Sequence, residues 1–444
     1  MRDVATVSIG AAVDSEARTS RRARFGIGFF CCCWLLIWMP WCYGIVGQLS
    51  FGWWFDVGQW TITHILGLPE HYSATRYSAD ILTHYVSTAV FVLVSAVVAA
   101  LWMTLDERGL THRAAFSCAF VAARFTLAAL MLAYGWVKVL PAQFGLMASG
   151  AGTDYLMQQV GQLPPADLMW AFMEASRPYQ VATGLVELLG GLLLLTRRTT
   201  MWGAFVSVAV MTNVLLMNFG YDVVVKFFSG VMLSLALAIS APYARGLGSV
   251  LARHAAGRSP QGIAVARSHR VRTVTRLLGV FVACLLVWWT YRGAEGVADR
   301  FARLPAQTPL HGIWDVEEVV QAGVPVPLLI TDRSLWRRLV LPWGGTEAGA
   351  MLVWMSDAVT RCRSRIDTQA NTLVIEPVTD STVVGSVRSV PQAPARMLYN
   401  FTVVSPDQLL LMSADADHPA VSIRLRRFDH STYALVAHRR GWRW

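Results

Sequence analysis

The sequence predicts a mainly α-helical membrane protein with about seven transmembrane helices and a C-terminal antiparallel β-barrel or β-sandwich domain. Of the 444 residues, 55% are hydrophobic and only 15% are charged, whereas about 25% of a soluble domain is charged. Apolar runs long enough to cross a bilayer recur along the first two thirds of the chain. After about residue 305 these runs shorten to strand length and alternate with turn signals.

Seven stretches approach the roughly 20 apolar residues that a helix needs to cross a bilayer. They are 25–48, 81–103, 116–140, 179–196, 200–218, 223–242 and 275–291. No small-residue cleavage site follows the first stretch, so we expect it to be retained rather than removed as a signal. The aromatic segment Phe51–Trp60 is too short to span and is expected to lie along the outer membrane face.

The distribution of basic residues predicts the orientation. The net charge of +10 comes mostly from arginines beside the apolar runs, which indicates membrane orientation rather than nucleic-acid binding. Arginines are concentrated in the segments that lie on one side, whereas the short loops of the other side hold only Arg76, Arg177 and Lys226. The positive-inside rule therefore predicts a cytoplasmic N-terminus and an outer C-terminal domain.

These patterns divide the chain into six predicted regions. They are a basic cytoplasmic N-terminus (1–24), two additional spans (25–115), a four-helix bundle (116–242), a basic cytoplasmic linker (243–274), the seventh span (275–291) and the β domain (292–444). Strands are expected at 351–355, 372–375, 408–412, 421–426 and 433–437. Turn signals at 344–345, 405–407 and 415–417 separate them. The strict alternation at 421–426 is typical of a half-buried strand.

Ionisable residues inside the predicted bundle are candidates for function because charge is costly in a bilayer. Arg124 and Glu187 lie at similar depths on neighbouring antiparallel spans, which predicts an ion pair between them. Such a pair can act as a structural clasp between helices or as a proton or ligand site, and we assign it the structural role.

A second polar group is expected near the outer face. The chain has 38 basic residues but only two lysines, and both fall in this layer. An ammonium group is a compact donor that titrates readily when desolvated, although both lysines could simply extend to the headgroups. We predict Lys138, Asp222 and Lys226 as catalytic residues and Asn218, Tyr221 and His84 as ligand-binding residues, with Asp222 also the N-cap of the sixth span. For His84, a lone residue at the interface is the simpler alternative.

No metal site is predicted. His64, Glu70 and His71 could hold a metal ion, but an ordinary polar loop explains them as well. The successive thiols of Cys31–Cys33 point to different helix faces and fit small packing residues. No nucleotide-binding fingerprint, covalent cofactor motif or catalytic triad is visible.

Spans three to six resemble the DoxX-like family of membrane proteins. The resemblance is carried by Arg124 with Leu132–Lys138, by the G-x-x-E-x-x-G-G pattern in Gly184–Leu195 and by the MN-x-x-YD-x-x-VK pattern in Met217–Lys226. It implies a four-helix membrane bundle and, as in some members, a subunit of thiosulfate:quinone oxidoreductase or of another membrane redox assembly. Together with the predicted orientation, it implies a protein of the bacterial inner (cell) membrane with a periplasmic C-terminal domain. This chain adds further spans and an outer β domain, and carries no redox cofactor motif of its own.

The β domain has a fainter resemblance. Leu310–Trp314 contains the Gly-x-Trp that opens lipocalin-like barrels. A barrel of about eight strands can enclose one small apolar ligand, although a core filled by side chains is the commoner outcome, and a generic β-sandwich is the alternative fold.

Three functions fit these observations. The first is a subunit or accessory of a quinone-linked redox system, in which quinone oxygens accept hydrogen bonds from Lys138 and Lys226 and a periplasmic protein is the redox partner. The second is non-enzymatic binding or transport of a lipophilic small molecule between the bilayer and the β domain. The third is a scaffold whose outer domain docks a protein. An apolar cavity in the barrel that opens toward the membrane would favour the second.

Overall fold

The computed structural model describes residues 21–41, 45–68, 80–106, 110–140, 142–144, 156–251, 269–307, 310–341, 347–377, 396–414 and 420–433. These residues form nine α-helices followed by nine β-strands. The chain divides into two compact units, one made of Met1–Trp136 with Leu185–Arg292 and the other of Val137–Gly184 with Gly293–Trp444. We call them the helical unit and the barrel unit.

The helices account for most of the described chain before residue 310. They are α1 (Arg21–Cys33), α2 (Ile45–His64), α3 (Leu82–Leu105), α4 (Leu110–Val139), α5 (Pro165–Ala175), α6 (Arg177–Leu194), α7 (Thr200–Gly220), α8 (Lys226–Leu251) and α9 (His269–Gln307). A π-helical turn (Trp34–Trp38) and a 3₁₀ turn (Met39–Trp41) extend α1.

Six helical stretches in the described chain are long and apolar enough to cross a membrane: Arg21–Trp41, Leu82–Leu105, Ala114–Val139, Thr200–Gly220, Lys226–Ala244 and Thr273–Arg300. The protein is therefore a membrane protein. The expected span at 179–196 corresponds to α6, which is outside this set because Arg177, Gln180 and Glu187 interrupt its apolar sequence. A seventh crossing, and the side on which each end lies, stay predictions.

Two boundaries differ from those expected from composition. Helix α8 continues to Leu251 and α9 begins at His269, so both enter the expected linker at 243–274. Helix α9 also runs beyond 291 to Gln307. Charged residues such as Arg292 and Glu295 end the apolar run without ending the helix, because both residue types are good helix formers.

The aromatic segment expected along the membrane face is part of a packed helix. Trp54 and Ile62 in α2 are fully buried, and Phe55 is nearly so. Gly58 lies so close to α3 that a Cβ atom there would be 2.0 Å from Ser87 Oγ. Packing within the protein therefore accounts for Trp54 and Phe55, whereas Trp53 and Trp60 are exposed; a position along the membrane face stays a prediction.

The G-x-x-E-x-x-G-G pattern marks a close helix crossing. A Cβ atom on Gly191 would lie 2.8 Å from Leu132 Cγ on α4, and one on Gly190 would lie 3.2 Å from Ser207 Oγ on α7. Helix α6 thus packs closely against both neighbours, as small residues allow in membrane helices.

The C-terminal domain is a closed antiparallel barrel of eight strands, which confirms the barrel alternative. The domain has nine described strands, and all but the short β2 form the barrel: β1 (Gly312–Gln321), β2 (Val324–Val326), β3 (Trp336–Leu341), β4 (Glu347–Trp354), β5 (Val359–Asp367), β6 (Thr372–Pro377), β7 (Met397–Ser405), β8 (Gln408–Ser413) and β9 (Val421–Phe428). Pairing of β1 with β9 closes the sheet, while the short β2 pairs with the second half of β1.

Four expected strand cores coincide with β4, β6, β8 and β9. In β9 the alternation is confirmed: Ile423 and Leu425 are buried, whereas Arg424 and Arg426 are exposed. The expected strand at 433–437 and the turns at 344–345 and 415–417 lie wholly or largely outside the described residues. Tyr433 itself follows a short 3₁₀ turn.

Three strands are apolar on both faces. Their inward positions include Trp314, Leu339 and Leu352 in the barrel core. The outward positions beside them form a second cluster with Met157 and with Val359 of the next strand, β5: Ile313, Val340, Met351 and Val353. Nearby, Asp167 on α5 forms a 3.1 Å ion pair with Arg361. The segment before α6 therefore covers this outer barrel face, which explains the unbroken apolar run at 351–355.

Candidate functional site

Polar residues predicted near the ends of spans five and six meet at the turn between α7 and α8. The Lys226 ammonium lies 2.6 Å from Asp222 Oδ1. Asn218 is buried, and its side-chain amide donates to Ser229 Oγ at 3.0 Å. Tyr221 lies in the same turn with its side chain partly exposed. The structure therefore brings these four predicted residues into one connected polar turn.

Asp80 completes this group, and the sequence reasoning missed it. Its carboxylate accepts hydrogen bonds from the backbone N–H groups of Lys226, at 2.9 Å, and Phe227, at 2.8 Å. Its Oδ2 atom also lies 3.7 Å from Lys226 Nζ. The prediction that Asp222 caps α8 is wrong: Asp222 has a φ of 53° and its carboxylate bonds to the lysine ammonium instead.

Asp80 caps α8 although it lies just before α3, outside the turn that connects α7 to α8. A carboxylate at a helix N-terminus satisfies free N–H groups and interacts favourably with the helix dipole. The available signal was an acidic residue at the start of the predicted second span, on the same expected side as Lys226. Lys226, whose backbone N–H donates to Asp80, is 146 residues away in sequence. The two residues meet only because the start of α3 packs against the start of α8.

His84 lies one turn after Asp80 and is buried among aromatic rings. Its ring centroid is 5.0 Å from that of Trp41, 5.6 Å from Phe227 and 5.8 Å from Trp54. Because Phe227 follows Lys226 directly, His84 lies beside the polar turn; its role in binding a ligand stays a prediction. We call His84, Trp41, Trp54 and Phe227 the aromatic cluster.

Lys138 belongs to the barrel unit, not to the helical unit that contains the polar turn. It is buried in the last turn of α4, where its backbone carbonyl accepts a 3.3 Å hydrogen bond from Arg177. Arg177 also donates to the carbonyl of Val139. This arrangement satisfies carbonyl groups at the end of α4.

Arg124 and Glu187 are both buried in the helical unit. The Arg124 guanidinium donates to Thr200 Oγ1 at 3.3 Å and lies 4.8 Å from the Phe125 ring centroid. The ion pair between Arg124 and Glu187 stays a prediction.

The described residues contain no group of three or more His, Cys, Asp or Glu side chains that could hold a metal ion. His64 stacks on Trp60 at 5.2 Å and its Nδ1 is 2.8 Å from Thr63 Oγ1. Glu70 and His71 lie outside the described residues.

The barrel encloses a cavity of about 300 Å³ that opens at one end. Its wall comes from the second half of β1, the starts of β3, β7 and β9, and the ends of β4 and β8. The lining residues are mainly apolar: Val316, Val319, Gln321, Ser334, Leu335, Trp336, Trp354, Arg396, Met397, Leu398, Tyr399, Ser413, Val421 and Ile423. We call this open end the mouth.

A few polar groups line the cavity. Tyr399 packs edge-on against Trp336 with 5.5 Å between ring centroids. Burial raises the pKa of Tyr399 to about 12, because the phenolate would be poorly solvated there. The phenol is therefore a neutral donor near neutral pH. Arg396 at the mouth is largely exposed and lies 3.4 Å from Glu376.

The opposite end of the barrel is closed by side chains. The Arg427 guanidinium lies 4.4 Å from the Trp314 ring centroid and donates to the backbone carbonyls of His311, at 2.6 Å, and Pro406, at 3.0 Å. Gly312 has a φ of 143°, and a Cβ atom there would lie 2.5 Å from the same guanidinium. The Gly-x-Trp motif therefore belongs to the closed end, away from the mouth.

These observations define the class of protein: a membrane protein with a C-terminal eight-stranded barrel that encloses an open cavity. No family model matches the chain, and no solved structure matches it. The chain is similar to the uncharacterized protein YwoB of Bacillus subtilis (strain 168), with 28% identity over 118 residues, 26% of this chain and 70% of that protein.

Proposed function

We propose that this protein binds a lipophilic small molecule and that the C-terminal barrel holds the ligand. The observation that carries the proposal is the open, mainly apolar cavity of about 300 Å³. That volume is at the lower end of the range for small-molecule sites, about 300–1,000 Å³. Membrane anchoring would keep such a protein close to a reservoir of lipophilic ligands.

The lining defines the class of ligand. Valine, isoleucine, leucine and tryptophan side chains fit an acyl chain or a small hydrophobic ring. Tyr399 supplies a neutral phenol donor, and Ser334 and Arg396 add donors close to the mouth. The ligand would therefore place its apolar part inside and a carboxylate, carbonyl or hydroxyl group within reach of these residues.

The barrel is filled at one end only, which favours ligand binding over simple core packing. At the closed end Trp314 is buried under Arg427. Toward the mouth, Trp336 and Trp354 form part of the wall of the cavity. Ligand-binding barrels share this combination of a closed end and an apolar cup.

The test is photocrosslinking of the full chain, purified in mild detergent, with a diazirine analogue of palmitate. Crosslinked peptides are expected to map to the cavity wall. Val421→Trp would fill part of the cavity and lower the crosslinking yield at least about tenfold, by displacing apolar contacts. Ser413→Trp is a second variant at another point of the wall, should the first fail to fold.

Val403→Trp is the matched control, because Val403 is an exposed residue of β7 that does not line the cavity. Its crosslinking should equal that of the natural protein. Equal yields from folded Val421→Trp and Ser413→Trp, or crosslinks confined to the helical unit, would overturn the proposal.

A second proposal is quinone-linked redox chemistry in the helical unit. It is favoured by the aromatic cluster beside the polar turn, since aromatic rings can stack on a quinone. Two carboxylates already partner Lys226, however, which makes its ammonium a weaker donor to a further ligand. Co-purified quinone should be lost in Lys226→Met; unchanged quinone content in that variant would remove this mechanism.

A further inference from the structure

The barrel carries an uncharged apolar segment at its mouth. Residues 319–331, with the sequence VVQAGVPVPLLIT, contain no charged side chain and lie between Glu318 and Asp332. The segment includes the end of β1, the short β2 and the connection to β3. Three of its large apolar side chains face solvent: Val324 is 65% exposed, Leu329 is 55% exposed and Ile330 is 74% exposed. We call these three residues the rim.

The rim lies beside the cavity opening. Gln321, which pairs with Val324 across the β1–β2 hairpin, lines the cavity, and so do Ser334 and Leu335 shortly after the rim. The connection between these lining positions therefore passes the mouth. Val326 and Leu328, which alternate with exposed positions, pack against the barrel core. Their packing anchors the segment and holds the rim outward.

Exposed apolar side chains need a reason, because water contact with them is unfavourable. Pro325 and Pro327 cannot donate backbone hydrogen bonds, so this edge is unsuited to pairing with another strand. Arg333 and Arg396 lie next to the rim and at the mouth, and both are exposed. Apolar tips with neighbouring arginines suit the boundary of a bilayer, where the tips enter the acyl region and the guanidinium groups meet phosphates.

We propose that the rim inserts into a lipid bilayer and that ligand passes between bilayer and cavity at this contact. The inference rests on the proposed function of the barrel. The six candidate membrane spans of the described residues keep the chain at a bilayer, and the rim lies in sequence between the cavity-lining residues Gln321 and Ser334. A lipophilic ligand crossing there would avoid a passage through water, which is the costly step for an apolar molecule.

Insertion is tested with the full chain in nanodiscs of phosphatidylethanolamine and phosphatidylglycerol. A benzophenone amino acid at position 330 should crosslink to phospholipid, detected by mass spectrometry of the protein. The matched control is position 404: Val404 is 60% exposed, but it precedes the β7–β8 turn at the closed end. Absence of lipid adducts at 330, equal adducts at 404, or crosslinks from 330 to protein would each overturn the proposal.

Transfer is tested with the Leu329→Asp/Ile330→Asp double variant. From vesicles of the same lipids, the diazirine palmitate analogue should load this variant at least about tenfold more slowly than the natural protein. Each apolar side chain that no longer enters the bilayer lowers the affinity of the rim for lipid by about that factor. Probe added in detergent should bind both equally, since the cavity wall is unchanged. Equal loading from vesicles refutes the rim proposal alone, whereas no binding in detergent by the natural protein refutes the binding function.

Discussion

Replacing Asp80 with alanine should destabilise the helical unit, because this carboxylate joins the start of α3 to the start of α8. The change removes the acceptors of two backbone N–H groups, those of Lys226 and Phe227. It also removes one of the two carboxylates near the Lys226 ammonium. The residue is mostly buried, with 12% of its side chain exposed, so water can replace these contacts only in part.

The expected loss follows from the separate contacts. Removing an N-cap side chain costs about 0.5–2 kcal/mol, and hydrogen bonds to a charged acceptor contribute about 1.5–3 kcal/mol. The Lys226 ammonium lies 3.7 Å from the Asp80 carboxylate and keeps Asp222 as a partner. Loss of its attraction to Asp80 therefore contributes less than about 1 kcal/mol. Because the contributions overlap, we expect a loss of about 2–3 kcal/mol in the free energy of unfolding.

Asp80→Asn is the matched control, since asparagine is about as good an N-cap as aspartate. It should cost less than the alanine change, about 1–2 kcal/mol, because it keeps an acceptor oxygen for one of the two N–H groups but loses the second acceptor and the charge. Both variants are measured by thermal unfolding of the full chain in one detergent, with alanine expected to lower the Tm by several degrees. The capping role is refuted if the alanine variant has the same Tm as the natural protein, or a Tm no lower than that of the asparagine variant.

Three further outcomes are expected. Gly58→Ala should reduce the yield of folded protein in detergent, because its Cβ atom would lie 2.0 Å from the Ser87 hydroxyl on α3. Gly52→Ala is the control and should leave the yield unchanged, because a Cβ atom there has no neighbour within 4 Å. Arg427→Met should destabilise the barrel by about 2–3 kcal/mol through lost charged hydrogen bonds, seen as earlier proteolysis of the domain; the exposed Arg426→Met should not. The stability of the barrel should fall as the pH rises from about 10 toward 12, because the Tyr399 phenol has its ordinary pKa only in the unfolded chain. Tyr399→Phe should make that fall smaller, and the same pH profile in this variant would contradict the prediction.

The candidate sites show where sequence reasoning reached its limit. Asn218, Tyr221, Asp222 and Lys226 are close in sequence, so one turn was enough to predict that they meet. Asp80 joins them across 146 residues, and no local pattern carries that information. The same holds for the barrel cavity, whose wall is assembled from six strands.

The sequence by itself determined the membrane class, most helix positions, the β character of the C-terminal domain and the alternation of β9, because apolar length and periodicity act locally. Tertiary structure alone decided that the barrel closes, that Asp80 rather than Asp222 caps α8, and that Trp54 and Phe55 of the aromatic segment are buried. It also decided that the barrel is filled at one end and open at the other. These features depend on contacts between distant segments, and such contacts are selected by packing rather than by any local preference of the chain.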